Sequence, residues 1–307
     1  MTEHLIAILA ATVGAATPLL LAGIGELITE KSGVINLGVE GMMLIGAIAG
    51  FATVVHSDGY VVYGLLGGMV AGMAAASLFA LIAISLSASQ AATGLALTIF
   101  GIGLSAFIGK HYTSYSLPGL QHLPIPLLSD IPVIGPVLFN QDPVVYLTYV
   151  LFGVATWIVT KTKIGLILRA VGESPEAAHA VGYSVLKIRW LATLTGGAFA
   201  GIAGAYLSTV YTPIWVENMT AGRGWIAVAL VVFSAWKPWR LLLGACLFGG
   251  VTIMQYQAQA IGLHISVDLL AALPYLATIA VLVLIGRNPK LLLNFPASLG
   301  KPFLPGA

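Results

Sequence analysis

The amino-acid sequence predicts an all-α polytopic membrane protein, and three observations carry that prediction. Only 8% of the 307 residues are charged while 59% are hydrophobic, against about 25% charged in an ordinary globular domain. Uninterrupted apolar runs repeatedly reach the roughly 20 residues a helix needs to cross a bilayer, too long for barrel strands. Glycine occurs 36 times, which suits close helix approach where lipid replaces water. The same figures exclude other classes. The 13 Lys+Arg and 11 Asp+Glu are too few to coat a soluble surface of this size. Disordered chains are poor in apolar residues, and a net charge of +2 gives no hold on nucleic acid. Cys246 is the one cysteine, so no internal disulfide is possible and nothing suggests a bound metal.

Apolar runs give about nine spans (eight to ten) in one transmembrane domain over residues 1–307, near 5–28, 37–55, 60–86, 90–109, 144–160, 188–210, 222–236, 240–260 and 268–286. The start, Met1-Thr-Glu-His4, lacks the basic region of a signal peptide, so the first run is expected to stay as a span. His56-Ser-Asp-Gly59 is a polar turn, Trp236-Lys-Pro-Trp-Arg240 a charged proline turn, and Asn288-Pro289 ends the last helix. Cationic residues set the orientation. Lys161, Lys163, Arg169, Lys187 and Arg189 mark one loop as cytoplasmic, and propagation brings Lys31, Lys237, Arg240, Arg287, Lys290 and Lys301 to the same side. That is 11 of the 13 cations, leaving Lys110 and Arg223, and it places the amino terminus outside and the 287–307 tail inside.

Two loops depart from plain hairpins. Residues 111–143 hold six of the 15 prolines (Pro118, Pro124, Pro126, Pro132, Pro136 and Pro143) among apolar residues. Proline at that density forbids a regular helix, leaving an external lid or a long surface connector. In the cytoplasmic stretch 163–186, Ser174, Pro175 and Glu176 read as N-cap, first helical residue and first-turn acid, so a short helix is expected from 175 to about 181. Gly182 then ends it. By geometry this is a docking element or a simple linker.

The second span opens on an interruption, residues 29–43, where Gly33, Gly38 and Gly41 permit non-helical backbone and Asn36 and Glu40 bring polar groups. Broken helices survive at membrane depth only when buried in protein or lining a cavity, and transporters often build substrate sites from them. An ionisable Glu40 near lipid is a pathway candidate. The plainer reading is that it pins the break by hydrogen bonds at a boundary marked by Glu26, Glu30 and Lys31. Gln255 and Gln259 share one face of the eighth span, with Gln257 opposite, and suit a pathway or interhelical hydrogen bonds. Glu217, Asn218, Arg223 and Trp225 gather at the outer end of the seventh span, where Arg223 can pair with Glu217 and Trp215 and Trp225 read as interface anchors. The series Gly46/Gly50, Gly64/Gly68/Gly72 and Gly197/Gly201/Ala205 predict close packing within a bundle or between subunits. A faint echo links 33–50 with 219–236, each a Gly-rich polar start before an apolar run. No phosphate-binding Gly-Lys loop, His-Glu-x-x-His or Gly-x-Ser-x-Gly occurs, so no catalytic residue or cofactor site is assigned to the chain.

The string Gly25-Glu-Leu-Ile-Thr-Glu-Lys-Ser-Gly-Val-Ile-Asn-Leu-Gly-Val-Glu-Gly-Met-Met-Leu44 resembles ABC-importer permeases of the ribose/branched-chain amino acid type, nearest the nucleoside and simple-sugar branch. Arg169-Ala-Val-Gly-Glu-Ser-Pro-Glu-Ala-Ala-His-Ala-Val-Gly182 is similar to that family's coupling segment. Within it Glu176-Ala-Ala, with Gly182 after three more residues, repeats the start of the general ABC-permease motif, while the later Ile-x-Leu-Pro part is missing. The likeness spans essentially the whole chain. Sugar permeases of this group usually carry one further amino-terminal span, which is not expected here, in keeping with the outward amino terminus that the charges suggest.

The resemblance implies a subunit of the bacterial or archaeal plasma (inner) membrane. It implies pairing with a second permease, commonly a different chain, and with an extracytoplasmic substrate-binding protein. Two ATPase domains, which bind the ATP, would receive the segment around Gly172, Glu173, Ser174, Pro175, Glu176, Ala177, Ala178 and Gly182. No covalent chemistry falls to the chain itself. Two other classes compete: an ion-coupled secondary transporter of a small polar solute, suggested by the break and Glu40, and a membrane-embedded enzyme, for which no reactive constellation is found.

Overall fold

The computed structural model describes residues 2–260 and 295–304, with isolated positions between them. The ninth predicted span, at 268–286, and the start of the tail lie outside the described residues but for those positions. Seven of the described helices are long and apolar enough to cross a membrane. They are α1 (Thr2–Lys31), α2 (Val39–His56), α3 (Val61–Ala80, continued by a π-helical turn Leu81–Ser85), α4 (Gln90–Gly109), α6 (Pro143–Lys161), α9 (Val185–Tyr206, continued by a π-helical turn Leu207–Tyr211) and α11 (Pro238–Ala260). Short helices α5 (Ile134–Leu138), α7 (Lys163–Glu173) and α8 (Pro175–Ala180) lie between them. The protein is thus a multi-pass, all-α membrane protein.

The seventh predicted span is corrected by α10 (Arg223–Phe233), which has only 11 residues. At 1.5 Å per residue it rises roughly 16 Å, about half a bilayer core. Ala235 and Trp236 take positive φ (50° and 56°) and stop it early. The apolar run from 222 to 236 is long enough to suggest a span, but its last residues are turn.

Helix α9 forms the centre, packed against α1, α2 and α3. The glycine series foreseen in the sequence meet one another within the chain. A Cβ added at Gly46 would lie 2.5 Å from Gly201 Cα, and one at Gly50 would lie 2.6 Å from Ala205 Cβ and 2.9 Å from Gly64 O. Backbones approach this closely only without side chains between them. Around the seam lie Met42, Met43, Phe79, Ala200 and Ala203, all fully buried.

The Pro-rich stretch 111–143 has local order. Strands β1 (Leu123–Pro124) and β2 (Asn140–Gln141) pair antiparallel. Gln141 Nε2 donates to Ala10 O (3.1 Å), and Leu117 N to Pro213 O (2.9 Å). Both anchors lie at the end of the bundle opposite α7 and α8.

Candidate functional site

Helix α1 ends where Gly33, at φ +90°, donates its N–H to Glu30 O (2.9 Å) and the Ser32 hydroxyl donates to Thr29 O (2.7 Å). The residues up to α2 are non-helical, and several of their buried polar groups find partners outside a helix, as burial demands. Ile35 N donates to Gln90 Oε1 (2.8 Å), and Leu37 O accepts from the Thr98 hydroxyl (3.0 Å). Asn36 is fully buried: its N–H reaches Glu26 Oε1 (3.2 Å), its Oδ1 accepts from Gly38 N (3.0 Å), and its Nδ2 faces Met42 Sδ at 3.5 Å. Gly38 and Gly41 let α4 close in, since an added Cβ would lie 2.9 Å from Leu97 Cδ2 and 2.6 Å from Leu97 O respectively.

Glu40 sits on the first turn of α2, 3% exposed. Its Oε1 accepts from the Thr220 hydroxyl (2.5 Å) and Gly222 N (2.8 Å), and its Oε2 from Gly224 N (2.6 Å). The carboxylate therefore caps the start of α10, where backbone N–H groups lack helical partners and a negative charge is favoured. Glu40 lies level with the inner part of α4 rather than with its ends. Gly41 lies against Leu97, Thr98 and Gly101, and Thr98 is about 12 Å along a helix of about 30 Å. The two stretches that echo each other in sequence thus meet, the start of α2 against the start of the half-length α10, inside the bundle. Two nearby carboxylates are buried as well: Glu26 (1% exposed) takes the Asn36 N–H, and Glu30 (2%) accepts from Trp236 Nε1 at 2.6 Å.

Two sequence expectations around α10 change. Arg223 donates to Met219 O (3.1 Å) and Thr220 O (3.3 Å), and the described residues contain no Arg223–Glu217 pair. Trp215 is buried against Ala47, Ile48 and Phe51 rather than set at an interface. It also fills the space beside Gly109. Gln255 and Gln259 are half-buried, with Gln257 exposed. On α11, Leu241 packs beside Gly23, and Gln255 lies 14 residues further on, about 21 Å along the axis. The glutamines are therefore well separated from the α1–α2 break.

At the other end α7 and α8 form a compact unit. The Ser174 hydroxyl accepts from Ala177 N (3.3 Å) and Pro175 takes the first helical position, as the sequence predicts. Gly182, at φ +92° with nothing within 4 Å of an added Cβ, closes the helix, and Tyr183 N donates back to Ala178 O (3.0 Å). Gly172, Pro175 and Ala178 are buried, Ala178 among Val171, Val185 and Phe303. Glu173, Glu176, Ala177, His179, Val181 and Gly182 are exposed and Ser174 is half-exposed. Val181 is 73% exposed, an apolar tip beside an acidic turn.

The sequence reading missed how Arg189 and the tail enter this unit. Arg189, counted there among the cations that mark a cytoplasmic loop, is 1% exposed. Its guanidinium donates to Ser32 O, Lys301 O and Ser298 Oγ. The signal lay in its position one turn into α9, between the apolar Ile188 and Trp190.

A bundle of spans with a buried helix break joined to the start of a half-length helix, and a capped exposed helix at one end, is the architecture of a helical transport subunit. The chain belongs to the family described as branched-chain amino acid transport system / permease component, which matches residues 8–285. It is 42% identical over 298 residues to a putative glucose ABC transporter permease protein of Haloferax volcanii, covering 90% of each chain. A guanosine ABC transporter permease protein of Bacillus subtilis is 33% identical over 322 residues, covering 97% of each. A nucleoside ABC transporter permease protein of Lactococcus lactis subsp. cremoris is 31% identical over 282 residues, covering 87% of this chain and 88% of that one. The protein is therefore an ABC-importer permease subunit and not itself an enzyme. Family membership implies ATPase and substrate-binding components as partners.

Proposed function

We propose that the chain forms one half of a pathway importing a nucleoside or simple sugar, and that α8 couples it to two ATPase domains that bind the ATP. The α7–α8 end is cytoplasmic, with the amino terminus outside and the carboxyl-terminal tail inside, in the plasma (inner) membrane of a bacterium or archaeon. The second permease is a different chain, and an extracytoplasmic binding protein delivers cargo to the outer mouth near the 111–143 loop. The observation that carries this reading is the α8 unit. A six-residue helix is capped at both ends, its inner face is packed, and its exposed face offers Glu176, His179 and Val181. Docking there in two ATPase states of different affinity is enough to shift the spans between inward and outward access.

Asn36, Gly38, Glu40 and Gly41 shape the pathway wall, because their polar atoms are already engaged and their glycines are in backbone contact. The half-buried Gln255 and Gln259 are the better candidates to meet a hydroxyl-rich solute. Sugar and nucleoside names among the relatives support the cargo class. Glu176→Lys and Gly182→Trp, both at exposed positions, are expected to abolish ATP-driven uptake of radiolabelled guanosine and glucose while the protein inserts normally. Wild-type uptake by both variants overturns the coupling assignment.

A further inference from the structure

The tail residues 296–303 bond to three parts of the fold at once. Ser298 N and Oγ both donate to Gly172 O (3.0 and 2.7 Å), at the end of α7 just before the coupling helix. Gly300 N donates to Gly33 O (3.1 Å), at the break after α1. Phe303 lies edge-on to His179 on the coupling helix, ring centroids 5.6 Å apart, and packs with Ala178 and Val185. Arg189 stands at the centre. Its Nε donates to Ser32 O (3.2 Å), its Nη1 to Lys301 O (2.9 Å) and its Nη2 to Ser298 Oγ (3.2 Å). No slack remains around it: a Cβ on Gly33 would lie 2.6 Å from Ser298 Oγ and 2.9 Å from Arg189 Nη2.

A guanidinium buried this fully is costly unless its donors are met. Here neutral acceptors from two distant chain segments meet it, one in the break and one in the tail, so the break cannot part from the tail without stranding a buried charge. The tail in turn holds the base of the coupling helix through Gly172 and its face through Phe303.

We propose that Arg189 and the 296–303 strap clamp the coupling helix to the α1–α2 break, with Arg189 as a positioning residue that carries ATPase motion to Asn36 and to the start of α2 at Glu40. This rests on the coupling role of α8. Displacement of α8 moves Gly172, Gly172 moves Ser298, and Ser298 with Arg189 moves Ser32 and Gly33. Gly172 also lies directly against the break, where a Cβ added to it would meet Lys31 O and lie 3.3 Å from Gly33 N, so the strap and Arg189 lock a backbone contact that alone has no bond to hold it.

The test uses the complete transporter in liposomes, with Cys246→Ser and Ile35→Cys as a reporter at the break. Labelling of position 35 by a membrane-impermeant maleimide is measured without nucleotide and after vanadate trapping with ATP. The expected wild-type response is a change in labelling rate of about tenfold, as for a two-state element shifted by its partner. Arg189→Lys and Ser298→Ala are expected to retain the ATPase subunits and trap nucleotide at wild-type levels, yet lose that response, and Ser298→Thr restores it. A role in stability alone would instead lower ATPase retention in step with the response, and that outcome overturns the proposal. So does an undiminished response in both variants, or no response in the wild type. Glu176→Lys separates the two claims. If its response persists, the coupling role of α8 fails; if only its response is lost, the strap alone fails.

Discussion

Replacing Glu40 tests whether it holds the structure or reads the cargo. Its two oxygens accept three hydrogen bonds, from the Thr220 hydroxyl and the Gly222 and Gly224 N–H groups. Glu40→Leu keeps a similar bulk but strands two backbone donors and a hydroxyl in a buried site. At about 1–3 kcal/mol for each unmet group the loss is about 3–9 kcal/mol, the upper part reached only if no water enters. Glu40→Gln is milder. Its remaining oxygen can serve Thr220 and Gly222, while its amide N–H₂ opposes the Gly224 N–H, so one donor is stranded and the charge at the helix start is lost. That sums to about 1–4 kcal/mol. Cys246, the one cysteine and half-buried, allows a thiol-reactive dye to follow thermal unfolding in detergent. The midpoint is expected to fall in the order wild type, Gln, Leu, and the Gln variant that still inserts should take up substrate with unchanged KM. A Leu variant as stable as wild type, or a Gln variant of normal stability with KM raised tenfold or more, would refute this reasoning and return Glu40 to the cargo.

Two further outcomes follow from packing. Gly46→Ala places a methyl group 2.5 Å from Gly201 Cα and should cost about 1–3 kcal/mol through forced separation of α2 and α9. Gly103→Ala, where nothing lies within 4 Å, should be neutral or stabilising by up to about 1 kcal/mol; equal midpoints for the two in the thiol-dye melt would contradict the seam. Trp215→Ala should lose about 3–5 kcal/mol, whereas Trp225→Ala, at a site 36% exposed, should lose far less. The reverse order in the same assay would restore Trp215 to an interface role.

The legible parts of the fold are those with a local or solvent-imposed cause. A bilayer demands long apolar runs, so the full spans stand out, and the α8 caps follow from Ser174, Pro175 and Gly182 within nine residues of chain. What was hidden depends on distant partners. Nothing near Glu40 in sequence announces Gly222 and Gly224, some 180 residues away, although the matching Gly-rich starts hinted that they belong together. The half-length of α10 was masked because Ala235 and Trp236, apolar by type, form its turn. Arg189 misled for a different reason: charge counting assigns cations to the surface, and this one is buried by acceptors in the break and in the tail.

The central claim is that α8 is where the permease meets its ATPase, and it can be tested by contact. A photocrosslinking amino acid at Val181, the exposed tip beside the coupling helix, is compared with one at Tyr60, which is 64% exposed in the turn between α2 and α3. In membranes expressing the whole transporter, position 181 is expected to form an adduct with the ATPase subunit whose yield changes with Mg-ATP, and position 60 none. An adduct from position 60 and none from 181 would contradict both the coupling role of α8 and the orientation of the chain.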